Sequence, residues 1–283
     1  MKKARRGRRG PAAAVLGLGK AGGALLASLG EAAIPVSARA RRLPTLLRQR
    51  GLADAELLFL AIPDDALATT AARLATLPKL PPVVVHLSGS RGLAVLAPLL
   101  GRCATASFHP LASLDGQHPI PRGTLFAWDA SDTRAARQLA ALARRLHGVP
   151  VRVRDDARAL YHAGAVVAGN LPMALLHEGI ALLVEAGVPE ATARVALARL
   201  LRSQAENAER QPLARALSGP VARGDADTLA RHLALLDGLP GARRRLRLAA
   251  LYRELSGILV DDVAAHRAPA ADRLRAALGA KHR

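Results

Sequence analysis

Three features of the 283-residue chain predict an α/β Rossmann-like doubly wound parallel sheet followed by an all-α C-terminal domain. Short apolar runs alternate with helical segments up to about residue 153, a glycine turn joins the first run to the first helix, and helical periodicity then persists to the C-terminus. The implied organisation is a basic, disordered tail at 1–10, a sheet domain at 11–154 and a helical domain at 155–283.

The first strand is Ala12 to Leu16, leading through Gly17-Leu18-Gly19-Lys20-Ala21-Gly22 into a helix that continues to Leu29. A pyrophosphate fits such a turn. Gly17 permits the tight bend, Gly19 lets the backbone approach the phosphates, and Gly22 lets helix and strand pack closely. Lys20 and Ala21 stand at the helix start, where free amides and the positive dipole end favour an anion. A second strand spans Ile34 to Ala38. About 20 residues after the turn, an NAD site would place a carboxylate for the ribose hydroxyls. Here the chain has Ser37, Arg39, Arg41 and Arg42 instead. Guanidinium groups beside a hydroxyl suit the extra phosphate of NADP.

Leu57 to Ile62 is an unbroken apolar run, as a buried parallel strand requires. Pro63-Asp64-Asp65 ends it and leads to a helix at Ala66–Ala75, and Pro81-Pro82 marks the loop before the strand Val83–Leu87. Ser88-Gly89-Ser90-Arg91-Gly92 follows, then a short helix, then Ala104–Ser107 running into Phe108-His109-Pro110-Leu111. A loop extends to Gly123. The half closes with a strand at Thr124–Trp128, a helix at Thr133–Leu146 and a strand at Pro150–Val153. Beyond it, Asp155-Asp156 can cap a helix from Ala157 to Glu185, with Pro172 kinking it. Gly187 ends that helix and Pro189 restarts the chain for helices near Ala191–Ala208, Thr228–Leu236 and Ala242–Leu259. The segment 264–283 is expected to be partly loose.

Ligands of an open parallel sheet bind beyond the carboxyl ends of the strands. The segments expected there are the glycine turn, Ile62-Pro63, Ser88 and His109. Ile62 and Pro63 would flank the nicotinamide. Ser88 could polarise a substrate oxygen, and His109 could exchange a proton with it because imidazole titrates near neutrality. His162 and Asn170, eight residues apart, share one helix face among small residues. Arg223, in the turn Ser218–Asp225, could hold a carboxylate bidentately. Asp225 is a cap candidate for the following helix. No set of residues has metal-ligand spacing.

Hydrophobic residues make up 51% of the chain and aromatics 2%, so the cores must be built from Leu, Val and Ala. The net charge of +19 would fit nucleic acid. However, the arginines are spread over every helix, and the dense run Lys2–Arg9 lacks aromatics for base stacking. Nucleic acid is therefore not the expected partner. The single cysteine, Cys103, excludes an internal disulfide and fits a reducing, cytoplasmic compartment. No apolar run reaches the roughly 18 residues of a membrane span, so no membrane partner is expected.

Gly17-x-Gly19-x-x-Gly22, Ala61-Ile62-Pro63-Asp64-Asp65, His86-Leu87-Ser88-Gly89, His109-Pro110-Leu111, Tyr161-His162-Ala163 with Asn170, and Gly219-Pro220-Val221-Ala222-Arg223-Gly224-Asp225 together resemble the Rossmann-like proteins that carry a DUF2520 C-terminal domain. The resemblance covers nearly everything after the tail. That family is similar in architecture to pyrroline-5-carboxylate reductase, ketopantoate reductase, 6-phosphogluconate and 3-hydroxyisobutyrate dehydrogenases and prephenate dehydrogenase. The likeness implies an NADP-binding sheet domain and a helical domain that forms a homodimer. His109-Pro110-Leu111 resembles the His-Pro motif of prephenate dehydrogenases, which implies that His109 meets a substrate hydroxyl, and His162 falls where that group has helix histidines. The lysine–asparagine pair of the hydroxyacid dehydrogenases is absent, because Val166 stands four residues after His162. The resulting expectation is an NADP-dependent oxidoreductase acting on a small anionic keto, imino or hydroxy acid, with His109, Ser88 and His162 catalytic and Asn170 and Arg223 holding substrate. The alternative is a non-catalytic NADP-binding sensor or scaffold.

Overall fold

The computed structural model describes residues 12–263 and 271–279. The expected tail at 1–10 lies outside them. The chain forms two compact units, Met1–Leu171 and Pro172–Arg283.

The first unit is built on a seven-stranded sheet of order β2-β1-β3-β4-β5-β6-β7. Its strands are β1 (Ala13–Leu16), β2 (Val36–Ala40), β3 (Leu57–Leu60), β4 (Val83–His86), β5 (Ala104–Pro110), β6 (Leu125–Ala130) and β7 (Val149–Arg152). Every residue of β1, β3 and β4 is buried, which is why these segments read as continuous apolar runs. Alternate side chains feed two cores. Val15, Phe59, Val85 and Phe108 pack with α1 (Lys20–Glu31) and, further along the chain, Leu139 and Leu142. On the other face, Leu16, Leu60 and Val84 meet Leu43 and Leu46 of α2 (Leu43–Leu47), Leu67 and Leu74 of α3 (Leu67–Ala75), and Leu96.

β1 to β5 run parallel, whereas β6 is antiparallel to β5 and β7 is parallel to β6. The reversal follows from the 111–124 connection, which contains no helix, whereas a parallel return needs a crossover. Phe108 stacks on Phe126 across the junction, with ring centroids 4.6 Å apart. β5 therefore extends to Pro110, and His109 is a strand residue opposite Ala127. Helix α4 (Thr133–Arg145) begins at Asp132, whose carboxylate accepts from the Ala135 amide at 2.7 Å. This acceptor satisfies one of the unpaired donors at the helix start.

The expected helix at Ala157–Glu185 is two helices, α5 (Arg158–Gly169) and α6 (Leu171–Glu185). Pro172 lies in the first turn of α6, where its missing N–H breaks no helical bond. The division between compact units falls at this break, after Leu171, later than the 154/155 boundary read from the sequence. α5 thus groups with the sheet. The helical stretch Asp155–Glu185 also corrects the count of apolar runs. With a mean hydropathy of 1.5 over an 18-residue window, it is long and apolar enough to cross a membrane by length and composition. Asn170, His177 and Glu178 interrupt the run without lowering that average enough, and none of the window is buried.

The second unit continues with α7 (Glu190–Arg210), α8 (Leu213–Ala216), α9 (Pro220–Arg223), α10 (Ala226–Asp237), α11 (Ala242–Ile258) and α12 (Ala271–Leu278). Its largest core joins Val221, Leu229, Leu233, Val260, Leu274 and Leu278. Asp225 caps α10, accepting from the Thr228 amide at 3.0 Å and its hydroxyl at 2.7 Å. α12 falls inside the segment expected to be loose. Leu274 and Leu278 hold it to α10, while 264–270 and 280–283 lie outside the described residues.

Candidate active site at the carboxyl ends of the strands

β1 ends at Leu16, and Gly17 turns the chain with φ +94°, its amide donating to the Ala40 carbonyl at 2.8 Å. A Cβ on Gly17 would lie 2.1 Å from the Ala61 oxygen, and one on Gly22 would lie 1.9 Å from the Gly17 oxygen. Only glycine permits either approach. Gly19 differs, because a Cβ there would meet nothing within 4 Å. It stands at the start of α1, which has no side-chain cap and no acidic residue in its first turn. The opening amides, at Lys20 and Ala21, are thus left for an external acceptor over an open backbone. These are the features a pyrophosphate needs.

β2 extends two residues further than the sequence suggested. Arg41 and Arg42 therefore follow its carboxyl end directly, both exposed, beside the Ala40–Gly17 contact. Arg39 is the exposed penultimate residue of the strand, and its backbone is held on both sides by the Gln49 amide, at 3.0 and 2.8 Å. Ser37 does not join them. The shift of the strand places it near the amino end of the sheet, where its hydroxyl donates to the Ala13 carbonyl at 3.4 Å. Ser37 is accordingly withdrawn as a ribose-phosphate ligand.

Ile62 and Pro63 follow β3, and Asp64 behind them gathers the next loop. The Ser88 and Ser90 hydroxyls both donate to its Oδ2 at 2.8 Å. In turn, Ser88 Oγ accepts from the amides of Ser90 and Arg91 at 3.2 and 3.0 Å. The Ser88 proton is committed to Asp64, so this residue shapes the loop and is not a free donor to a substrate. The preceding His86 is fully buried, and its Nδ1 accepts from the Ser88 amide at 3.2 Å.

Within this loop, Gly89 has a specific function: it makes room for two imidazoles. A Cβ there would lie 2.8 Å from both His109 Nε2 and His162 Nδ1. The two rings are 6.3 Å apart and nearly perpendicular. His109 Nδ1 is hydrogen-bonded to the Tyr161 hydroxyl at 2.8 Å, whereas the buried His162 Nδ1 has no partner in the protein. Burial, and then the charge of Arg158, push the His109 pKa down to about 4, with His162 adding to the effect and Asp64 opposing it. The imidazole is therefore neutral at physiological pH. Burial also raises the Tyr161 pKa, against the pull of Arg158. Tyr161 lines an open groove of about 790 Å³ together with Arg152, Arg154, Leu160 and Gly164.

Sequence reasoning missed Arg158 and Tyr161 as members of this group. The available signal was spacing, since Arg158, Tyr161 and His162 stand at i, i+3 and i+4 on one helix face. Arg158 is 1% exposed, donates from Nε to the Arg91 carbonyl at 3.3 Å, and has its guanidinium 6.0 Å from the Tyr161 ring centroid. Asp155 ties the same segment to the loop by accepting from the Leu93 amide at 2.7 Å, so it does not cap the helix as expected. Asn170 ends α5, exposed, and is not among the contacts of this group. Arg223 belongs to the second unit, 3.9 Å from Asp225 and largely exposed. Cys103 is half-buried, and burial raises its pKa, which leaves it a poor nucleophile. Among the described residues, no three His, Cys, Asp or Glu side chains are placed to hold a metal ion.

Two family models match successive parts of the chain, and they change over earlier than the compact units do. Residues 6–110 match the model of a Rossmann-like domain, and residues 124–258 match a domain of unknown function, DUF2520. No curated protein matches the sequence. Among solved structures, protein TM1727 of Thermotoga maritima is similar over 90% of this chain and 99% of its own, with a TM-score of 0.68 and 22% identity. A proposed NADP oxidoreductase of Bacteroides fragilis is similar over 88% of this chain and 97% of its own, with a TM-score of 0.64 and 21% identity. The 1-pyrroline-5-carboxylate reductase of Streptococcus pyogenes covers 90% and 98%, with a TM-score of 0.60 and 16% identity. At these identities the likeness is one of fold.

Proposed function

We propose that this chain, in which a Rossmann-like domain is followed by a DUF2520 domain, is an NADP-dependent oxidoreductase acting on a small anionic keto, imino or hydroxy acid. The observation that carries the reading is the His109–Tyr161 hydrogen bond, set with His162 around Gly89 at the same strand ends as an uncapped glycine turn. Gly17, Gly19 and Gly22 with the Lys20 and Ala21 amides would cradle the pyrophosphate. Arg39, Arg41 and Arg42 would meet the ribose phosphate, where no carboxylate follows β2 to repel it. Ile62 and Pro63 would flank the nicotinamide. When bound, the dinucleotide supplies or accepts the hydride.

The remaining chemistry belongs to the side chains. A proton on His109 Nδ1, donated to the Tyr161 oxygen, leaves Nε2 as a free base beside Gly89. A neutral imidazole is the form that takes a proton from a substrate hydroxyl, and in the reductive direction the same nitrogen returns it to the oxygen or nitrogen being reduced. Tyr161 fixes the ring, and His162 presents a second polar atom to the substrate. Orientation of this kind accounts for much of the rate in a hydride transfer.

The second unit exposes Met173, Leu175, Val184, Val195, Leu200 and Leu201 on α6 and α7. We read this as the face on which a second copy docks, in a cytoplasmic homodimer. Sedimentation of the full chain tests that part.

The main test is NADPH consumption by the purified chain across a panel of 2-oxo acids and imines. Turnover that falls in His109→Asn while NADPH affinity is retained supports the reading. Unchanged turnover removes His109 from the chemistry, and binding without turnover across the panel supports the sensor or scaffold instead.

A further inference from the structure

Among the described residues of the first unit, Arg158 is the one large charged side chain in the interior, at 1% exposure, and its hydrogen bonding is incomplete. Nε reaches the Arg91 carbonyl, but both terminal amino groups are buried with no acceptor. A guanidinium offers five donors and cannot shed its proton. Two charged amino groups left without acceptors in a buried site are costly unless a partner arrives. The carboxylates whose charge acts on Arg158 are already engaged: Asp155 by the Leu93 amide and Asp129 by Arg152. The Arg158 guanidinium lies 6.0 Å from the Tyr161 ring and is close enough for its charge to depress the His109 pKa.

We infer that Arg158 is the receptor for the carboxylate of the substrate, held by its two free amino groups beside the His109–Tyr161 pair. The identity of the anion rests on the oxidoreductase reading, whereas the existence of an anion site rests on the unpartnered guanidinium. Because the amino groups lie below the surface, the group they receive is small and sheds its water on arrival, as a terminal carboxylate can. Occupation has a second effect. Neutralising Arg158 removes a positive charge acting on His109, so the imidazole becomes a stronger base when an anionic substrate is present. Tyr161, His162 and Asp64 are the other titratable groups acting on that ring.

The test uses the full chain without nucleotide, with pyruvate as the probe and hydroxyacetone as its uncharged counterpart, at constant ionic strength. Pyruvate should raise the melting midpoint by a few degrees and hydroxyacetone should not. In Arg158→Met the pyruvate response should vanish, and the unliganded midpoint should equal or exceed that of the parent, since an uncompensated buried charge has gone. A pyruvate response surviving in Arg158→Met overturns the inference, because the strongly basic chain then binds anions elsewhere. A destabilised Arg158→Met with no pyruvate response in the parent also overturns it and makes Arg158 a strap for the Arg91 loop. If Arg158→Met does not fold, NMR titration of His109 in the parent decides: its pKa should rise with pyruvate and stay put with hydroxyacetone, and no difference between the two counts against the inference. NADPH binding measured on the same samples separates failure of this site from failure of the oxidoreductase reading.

Discussion

Gly89→Ala is a one-methyl test of the active-site geometry. The backbone at Gly89 does not adopt the left-handed conformation, so the substitution introduces no φ strain. What it introduces is contact, because the new carbon would lie 2.8 Å from His109 Nε2 and His162 Nδ1 and 3.0 Å from His109 Cε1. Ordinary packing needs about 3.5 Å, so each ring must retreat by about 0.7 Å. Both obstacles are side chains and can move, which keeps the stability cost in the overpacking range of about 1–3 kcal/mol. A melting midpoint a few degrees lower should follow. The catalytic cost is larger, since a misplacement of about 1 Å at reacting groups can remove about 10²-fold in rate. The expected result is therefore a large fall in kcat with NADPH affinity within twofold of the parent, read by NADPH consumption, nucleotide titration and urea unfolding on one preparation. Turnover equal to the parent's in a chain that melts lower would refute the argument, because it would mean that the two imidazoles do not face the reacting atoms.

Further consequences concern charge and the loop. His86 is fully buried, and burial first and Arg158 second push its pKa from 6.5 down to about 4. The unfolded chain therefore binds a proton that the folded chain refuses, so His86's contribution is complete above pH 6.5 and is lost as pH falls toward 4. The loss is on the order of 3 kcal/mol. Urea unfolding of the parent and of His86→Asn should show the flatter acid limb in the variant. Replacing Arg41 and Arg42 by alanine should weaken NADPH about 10–100-fold, as loss of charged hydrogen bonds does, and leave NADH nearly unchanged; equal affinity of the parent for both nucleotides would contradict the ribose-phosphate assignment. Ser88→Ala should cost about 1–3 kcal/mol in unfolding experiments, because Asp64 and two amides lose a partner, and should lower turnover less than Gly89→Ala.

Much of the first half was legible because its signals are local. Buried parallel strands read as unbroken apolar runs, and Gly17 and Gly22 state a steric need, since a Cβ at either would lie 2.1 or 1.9 Å from a backbone oxygen. Asp225 as a cap was legible for the same reason, since its acceptor and donor lie three residues apart. The errors arose where a boundary or a long-range partner mattered. Ending β2 two residues early moved Ser37 to the wrong end of the sheet, and ending the fifth strand at Ser107 placed His109 after the strand rather than in it. Ser88 looked like a free hydroxyl because nothing near it in the chain announces Asp64, 24 residues away.

From the order of its residues alone this chain determined its class, its nucleotide turn and the candidacy of His109 and His162, since periodicity, glycine spacing and strand ends are properties of neighbours. Tertiary structure decided which polar atoms are occupied and which are left over. It placed Tyr161 against His109, made Gly89 the spacer between two rings, and buried Arg158 without an acceptor for its amino groups. The physical reason is that desolvation and hydrogen-bond satisfaction depend on everything surrounding a group, and those surroundings come from segments tens of residues apart.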